Sequence, residues 1–98
     1  MSLAHDRSML SRLNQEIVAL RTKEAGEVKK AAEAQKKINS ALDSARRTNS
    51  ASMAKSYLST ADRERRNLQT AHDNQSRFSS QAATKTKSAA DLQDKIAK

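Results

Sequence analysis

INSALDSARRTNSASMAKSYLSTA, residues 38–61, decides the fold. Its apolar positions answer each other across Asn49 and Ser50. Ile38 pairs with Ala61, Leu42 with Tyr57 and Ala45 with Ala54, and in each pair the residue numbers sum to 99. Between the innermost pair stand Arg46, Arg47, Thr48, Asn49, Ser50 and Ser52. Cations suit the last turn of a helix, where the dipole is negative, while Asn and Ser supply turn and N-cap chemistry. A chain that reverses within so few residues runs as two antiparallel neighbours.

The mirror continues outward. Ala31 answers Leu68, Val28 answers Ala71, Ile17 answers Ala82, Leu10 answers Ala89 and Leu3 answers Ile96. The spacing predicts helix one over about residues 4–47, a turn over 48–51 and helix two over 52–96, together one domain, 1–98. Ser2 is placed to cap the first helix. In helix one the expected seam is Leu3, Leu10, Leu13, Ile17, Leu20, Glu24, Val28, Ala31, Gln35, Ile38, Leu42 and Ala45. Steps of three and four alternate in it as in a heptad, except from Leu20 through Glu24 to Val28. Two consecutive steps of four there read as a stutter that locally unwinds a supercoil. In helix two the seam is Ala54, Tyr57, Ala61, Glu64, Leu68, Ala71, Gln75, Phe78, Ala82, Lys85, Ala89, Leu92 and Ile96, with no break.

Alanine stands opposite most large seam residues, which lets helices approach closely and selects one register. Two polar layers, Glu24 with Gln75 and Gln35 with Glu64, are expected to reinforce it, because a slipped register sets them against apolar groups. At Lys85, on the seam opposite Leu13 and Asn14, fraying or an outward-reaching lysine is expected. The fold class is therefore all-α, a long antiparallel two-helix coiled-coil hairpin. Leu, Ile, Val and Phe together make 14 of 98 residues, below the roughly 20% at which a highly charged chain defaults to disorder. The helical period, the absence of proline and the single glycine argue for helix instead. Such a thin seam stabilises a lone hairpin little, and near the turn Ala34, Ala41 and Leu58 widen the apolar stripe. Self-association follows as an expectation, most simply two hairpins in a four-helix bundle.

The net charge is +8, and residues 29–70 carry ten bases against four acids. Arg46, Arg47, Arg63, Arg65 and Arg66 are the candidate contacts for nucleic acid or an acidic partner, with affinity that falls steeply in salt. No aromatic residue interleaves these bases to stack on a nucleobase, and no groove-reading motif is present, so a solvated charged surface is the better account. No apolar run can span a bilayer, no secretory leader is visible and no cysteine is present, which makes the expected setting cytoplasmic, away from membrane. His5 and His72 have no His or Cys at helical ligand spacing, so no metal is expected. No nucleophile elbow or phosphate loop occurs, and neither catalysis nor a cofactor is expected. Gly26, inside helix one, costs about 1 kcal/mol against alanine; tolerated drift is the better account of it, a soft spot beside Glu24 the alternative.

Residues 23–38 (KEAGEVKKAAEAQKKI), the turn 47–52 (RTNSAS) and the tail 81–92 (QAATKTKSAADL) resemble the N-terminal coiled-coil region of bacterial multidomain signalling and defence proteins, some of which carry a C-terminal TIR domain. The resemblance implies that the coiled coil assembles the molecule while a downstream domain acts. No effector sequence lies in this chain, so no catalytic residue carries over. Helix two runs on to the last residues without a Gly or Pro stop, as in a segment of a longer protein. The small secreted helical hairpins of the WXG type share only the outline. Their Trp-x-Gly turn is replaced by Thr48-Asn-Ser-Ala51, and their Tyr-x-x-x-acid tail signal fails because Ala61 follows Tyr57 at that spacing. The expected role is a non-catalytic oligomerisation or scaffold module, forming a homodimer or higher assembly and open to a further protein partner. Its interface residues are Leu10, Ile17, Leu20, Val28, Ile38, Leu42, Tyr57, Leu68, Phe78 and Leu92.

Overall fold

A computed structural model describes residues 2–98, which form two helices, α1 (Leu3–Arg47) and α2 (Ala51–Ala97). The expected all-α helical hairpin is what forms. Alanine, lysine, glutamate, glutamine and arginine favour helix throughout, and no proline interrupts it. The helix starts are closed by serines. Ser2 Oγ accepts the His5 N–H at 3.1 Å, and Ser50 Oγ accepts the Met53 N–H at 3.2 Å. Of the expected turn and capping residues Asn49, Ser50 and Ser52, the second N-cap is thus Ser50. The connection is three residues, 48–50. Thr48 Oγ1 accepts the Ser50 N–H, and no described residue of it needs a left-handed backbone.

Two compact units divide the chain. One holds Gly26–Asn74, with the turn at its middle; the other holds the described residues up to Ala25 together with Gln75–Lys98. In the turn unit the two helical segments bury Ala31, Ala34, Ile38, Ala41, Ala61 and Ala71, and with them the carboxylate residues Glu27 and Glu64. In the second unit Leu20, Ala82, Ala89 and Asp6 are buried, while Leu10, Leu13, Ile17, Phe78, Leu92 and Ile96 are half-buried.

On α2 all thirteen expected seam positions are buried or half-buried. On α1 the seam departs from expectation. Val28 is 47% exposed and Gln35 is exposed, whereas Glu27 and Ala34, one residue earlier in each case, are buried. Ala41 is buried, and Leu42 beside it only half-buried. The sequence Leu10, Leu13, Ile17, Leu20, Glu24, Glu27, Ala31, Ala34, Ile38, Ala41, Ala45 alternates threes and fours without a break. The stutter therefore vanishes, and the Gln35–Glu64 layer with it. Gln35 instead donates to Asn39 Oδ1 on its own helix. The physical reason is that spacing outweighed hydropathy. An acid in phase is buried when its carboxylate is held, and a valine out of phase stays in water.

The mirror also acquires an offset. The polar and cation–ring contacts between the helices join Asp6 with Lys95, Glu16 with Lys85, Lys23 with Phe78 and Glu27 with Asn74. Each pair sums to 101 rather than 99. A helical side chain leans toward its own N-terminus and covers a spot about one position before its Cα. Across an antiparallel pair the two leans add, so long side chains that touch tip to tip carry numbers about two higher than the level at which they meet.

Candidate interaction surfaces

Residues one turn apart share a helix face, so each hairpin segment has two sides flanking its seam. In the turn unit one side is a shallow groove lined by Glu27, Lys30, Ala34 and Lys37 of α1 and by Glu64, Asn67, Ala71 and Asn74 of α2. Its acids are held in place. Asn74 Nδ2 donates to Glu27 Oε1 at 3.2 Å, and Lys30 Nζ reaches the same oxygen at 3.5 Å. Asn67 Nδ2 donates to Glu64 Oε2 at 3.3 Å, with Arg63 Nε 3.9 Å from the other oxygen. A buried carboxylate is tolerated only with such partners, and here most come from the residue's own helix.

In the second unit Lys85 does not point away from the protein. Its Nζ donates to Glu16 Oε2 at 2.7 Å, the shortest polar contact between the helices. That hydrogen bond holds the Glu16 carboxyl below its ordinary range, helped by the charges of Lys85 and Arg12 and opposed by partial desolvation. Asp6 is buried with Lys95 Nζ at 3.8 Å from Oδ2, and its Oδ1 has no partner. Glu24 pairs with Arg21 on its own helix. Lys23 Nζ and the Arg77 guanidinium lie over the Phe78 ring, 5.8 and 5.1 Å from its centroid.

Of the residues expected at the interface, Leu20 and Ile38 are buried, and Leu10, Ile17, Leu42, Tyr57, Leu68, Phe78 and Leu92 are half-buried. Val28 is the exception already described. Val28, Leu42 and Leu58 fall on the side of the turn unit away from the groove, because their helical phase is opposite to that of Lys30, Lys37, Asn67 and Asn74. Among the candidate basic contacts, Arg47 pairs with Asp43, Arg65 with Asp62 and Arg63 with Glu64, while Arg46 and Arg66 make no ion pair among the described residues. The bases occur on both helices at different phases and do not gather on one face.

Sequence reasoning missed Glu27, Asp6 and Glu16. The signal for Glu27 was present, since continuing the alternation from Ile17, Leu20 and Glu24 lands on it. Among the described residues no three His, Asp or Glu come together as a metal site, and no helix is long and apolar enough to cross a membrane. Compared with protein-family models, with curated proteins and with solved structures, the chain matches none.

Proposed function

We propose that this chain is a non-catalytic coiled-coil module that assembles copies of itself and so serves as a scaffold, as the N-terminal part of a larger bacterial protein. The observation that supports this reading most is the poverty of the core. Among the described residues seven of nine buried apolar residues are alanine, and no large side chain is fully buried. Alanine removes little area from water at about 25 cal/mol per Å², so the hairpin gains most from a partner that covers its half-buried Leu, Ile, Tyr and Phe side chains. Its unbroken alternation of three and four suits association of helices in bundles.

Sedimentation over roughly 1–100 µM tests the reading, because self-association follows mass action. The expected result is a dimer or larger species whose melting temperature rises with concentration. A monomer throughout, with a concentration-independent melt, would sink it. The alternative is a binding module for nucleic acid or an acidic partner. The observation that favours it is that Lys29, Lys36, Lys37, Arg46, Lys55 and Arg66 make no ion pair among the described residues. Binding to random duplex that weakens steeply with salt, and that is lost when Arg63, Arg65 and Arg66 are neutralised, would move the assignment there.

A further inference from the structure

We infer that a second copy of this chain docks, antiparallel, on the side of the turn unit away from the groove, the side that carries Val28, Leu42 and Leu58; this rests on the scaffold reading above and names the surface it uses. Three observations lead there.

The first is area. The chain exposes 7057 Å². A compact monomer of 10.8 kDa exposes about 5,500 Å² by the usual mass scaling, so some 1,500 Å² per chain is in excess. A standard stable interface removes about 800 Å² per partner. A dimer thus fits well within the surface this chain has left over.

The second is the contrast between the two sides. The groove side of the turn unit is polar, and its buried acids are tied, Glu27 to Asn74 and Lys30 and Glu64 to Asn67. The far side of α1 reads Val28, Ala32, Gln35, Asn39 and Leu42, five successive positions without a charge, in a chain that is 31% charged. Val28 and Leu58 are 47% and 48% exposed there, and no polar contact crosses between the helices on that side of the unit among the described residues. Out-of-phase apolar residues add nothing to the hairpin's own seam. Exposed apolar side chains with no place in the hairpin's own seam point to an interaction site, with Leu58 bordered on its own face of α2 by the Asp62–Arg65 ion pair.

The third is complementarity of the stripe to its own reverse. A two-fold axis between Gln35 and Lys36 sets Ala32 of one copy against Asn39 of the other and brings Val28 within one position of Leu42. It also brings exposed Lys29 near Asp43 of the second copy, a half-buried carboxylate that pairs with Arg47 on its own helix. Both apolar and charged partners recur twice, as an isologous contact requires. The axis also brings Lys36 near its own copy, a like-charge contact at an exposed site whose cost is a few tenths of a kcal/mol, below what two buried Val28–Leu42 pairs contribute.

The test uses the full chain and its variants Val28→Glu and Leu58→Glu, with circular dichroism read at low concentration and sedimentation read over roughly 1–100 µM. The expected result is unchanged helicity at low concentration and at least a tenfold weaker dimer for each variant. If the wild type assembles and both variants assemble equally well, the surface is overturned while the scaffold reading stands. If the wild type never assembles, the scaffold reading falls and this surface with it. Should Val28→Glu lose helicity when dilute, Leu58→Glu carries the same comparison alone. Orientation is tested separately, since the native chain has no cysteine. Oxidising an equal mixture of Val28→Cys and Leu42→Cys chains is expected to give the mixed disulfide in excess. Homodimers of Val28→Cys in excess would overturn the antiparallel arrangement.

Discussion

The turn unit and the second unit are built from the same helices but pack differently. The turn unit buries five alanines and one isoleucine completely enough to exclude solvent, with Ala61 at 0% exposure. The second unit holds most of the large apolar residues, Leu10, Leu13, Ile17, Leu20, Phe78, Leu92 and Ile96, yet only Leu20 among them is buried. Two helices alone cannot surround a large side chain. An alanine is covered by the backbones that approach it, whereas a leucine needs third and fourth walls. Small residues therefore give this hairpin its dry core, and its large residues remain half-wet. Polar ties follow the same division. Buried acids in the turn unit are held largely by neighbours on their own helix, and in the second unit Glu16 and Asp6 reach across to lysines.

The largest test of that contrast replaces one isoleucine in each unit by aspartate. Ile38→Asp puts an unpaired charge among alanines that leave it no path to water, and the expected loss is about 3–5 kcal/mol, enough to melt the turn unit. Ile17→Asp puts the same charge at a half-buried site, where it can turn outward, and a cost of about 1–2 kcal/mol is expected. Helicity and thermal melts of the two variants measure this. Equal losses would show that the difference in burial has no energetic counterpart.

Gly26 gives the next largest effect. It opens the turn unit in the middle of α1, and a Cβ built there meets nothing within 4 Å. Gly26→Ala is expected to stabilise by about 0.5–1 kcal/mol through helix propensity and backbone entropy, a rise in melting temperature of about 4 °C or more for a domain of this size. An unchanged or lower melt would mean that the glycine serves a contact not formed within one hairpin. Asp6→Leu is expected to act in the same direction and less strongly. It removes a buried oxygen with no partner, a gain of about 1 kcal/mol or more, but forfeits roughly 0.3–1 kcal/mol for an acid in the first turn of α1. A net rise below that of Gly26→Ala is expected, and a fall would show that the contact with Lys95 matters more than the orphaned oxygen.

How far the hairpin was legible in its sequence differs between the helices for a physical reason. On α2 the polar seam positions Glu64, Gln75 and Lys85 have no apolar neighbour to compete with the period, so the seam from Ala54 to Ile96 could be read directly. On α1 hydropathy and period conflict at residues 27 and 28. Hydropathy favours Val28, while the period favours Glu27, and following hydropathy created a stutter and displaced Gln35 and Leu42 onto the seam as well. One conflict propagated through two heptads. Of these three, Val28 and Gln35 are exposed and Leu42 is half-buried, and all three lie on the stripe proposed above for a second copy. The Glu16–Lys85 bond was not legible, since neither residue breaks any local pattern and only the lean of the side chains aligns them. Arg46, Arg63, Arg65 and Arg66 were visible as charge, but their helical phase, which keeps them from gathering on one face, matters more than their number.

That same bond provides the smallest and most specific prediction. Glu16 has a folded-state pKa below its ordinary 4.5 because Lys85 donates to its carboxylate. A lowered acid pKa contributes stability that is present above the unfolded value and disappears as pH falls through the folded value. The stabilising effect of Lys85 at Glu16 is therefore complete at neutral pH and fades below about 4.5. Other carboxylates titrate in the same range, so the informative quantity is the difference between wild type and Lys85→Gln. The wild type is expected to melt higher at neutral pH. The gap is expected to close on acidification below pH 4.5, and to shrink in about 1 M salt, because Glu16 is partly exposed and its pairing is screened. Gln at position 85 keeps a donor and a similar length, so packing alone predicts a gap that does not move with pH. A constant gap would mean that Lys85 acts in the second unit through its stem rather than its charge. That would bring the two units closer in kind than their polar contacts suggest.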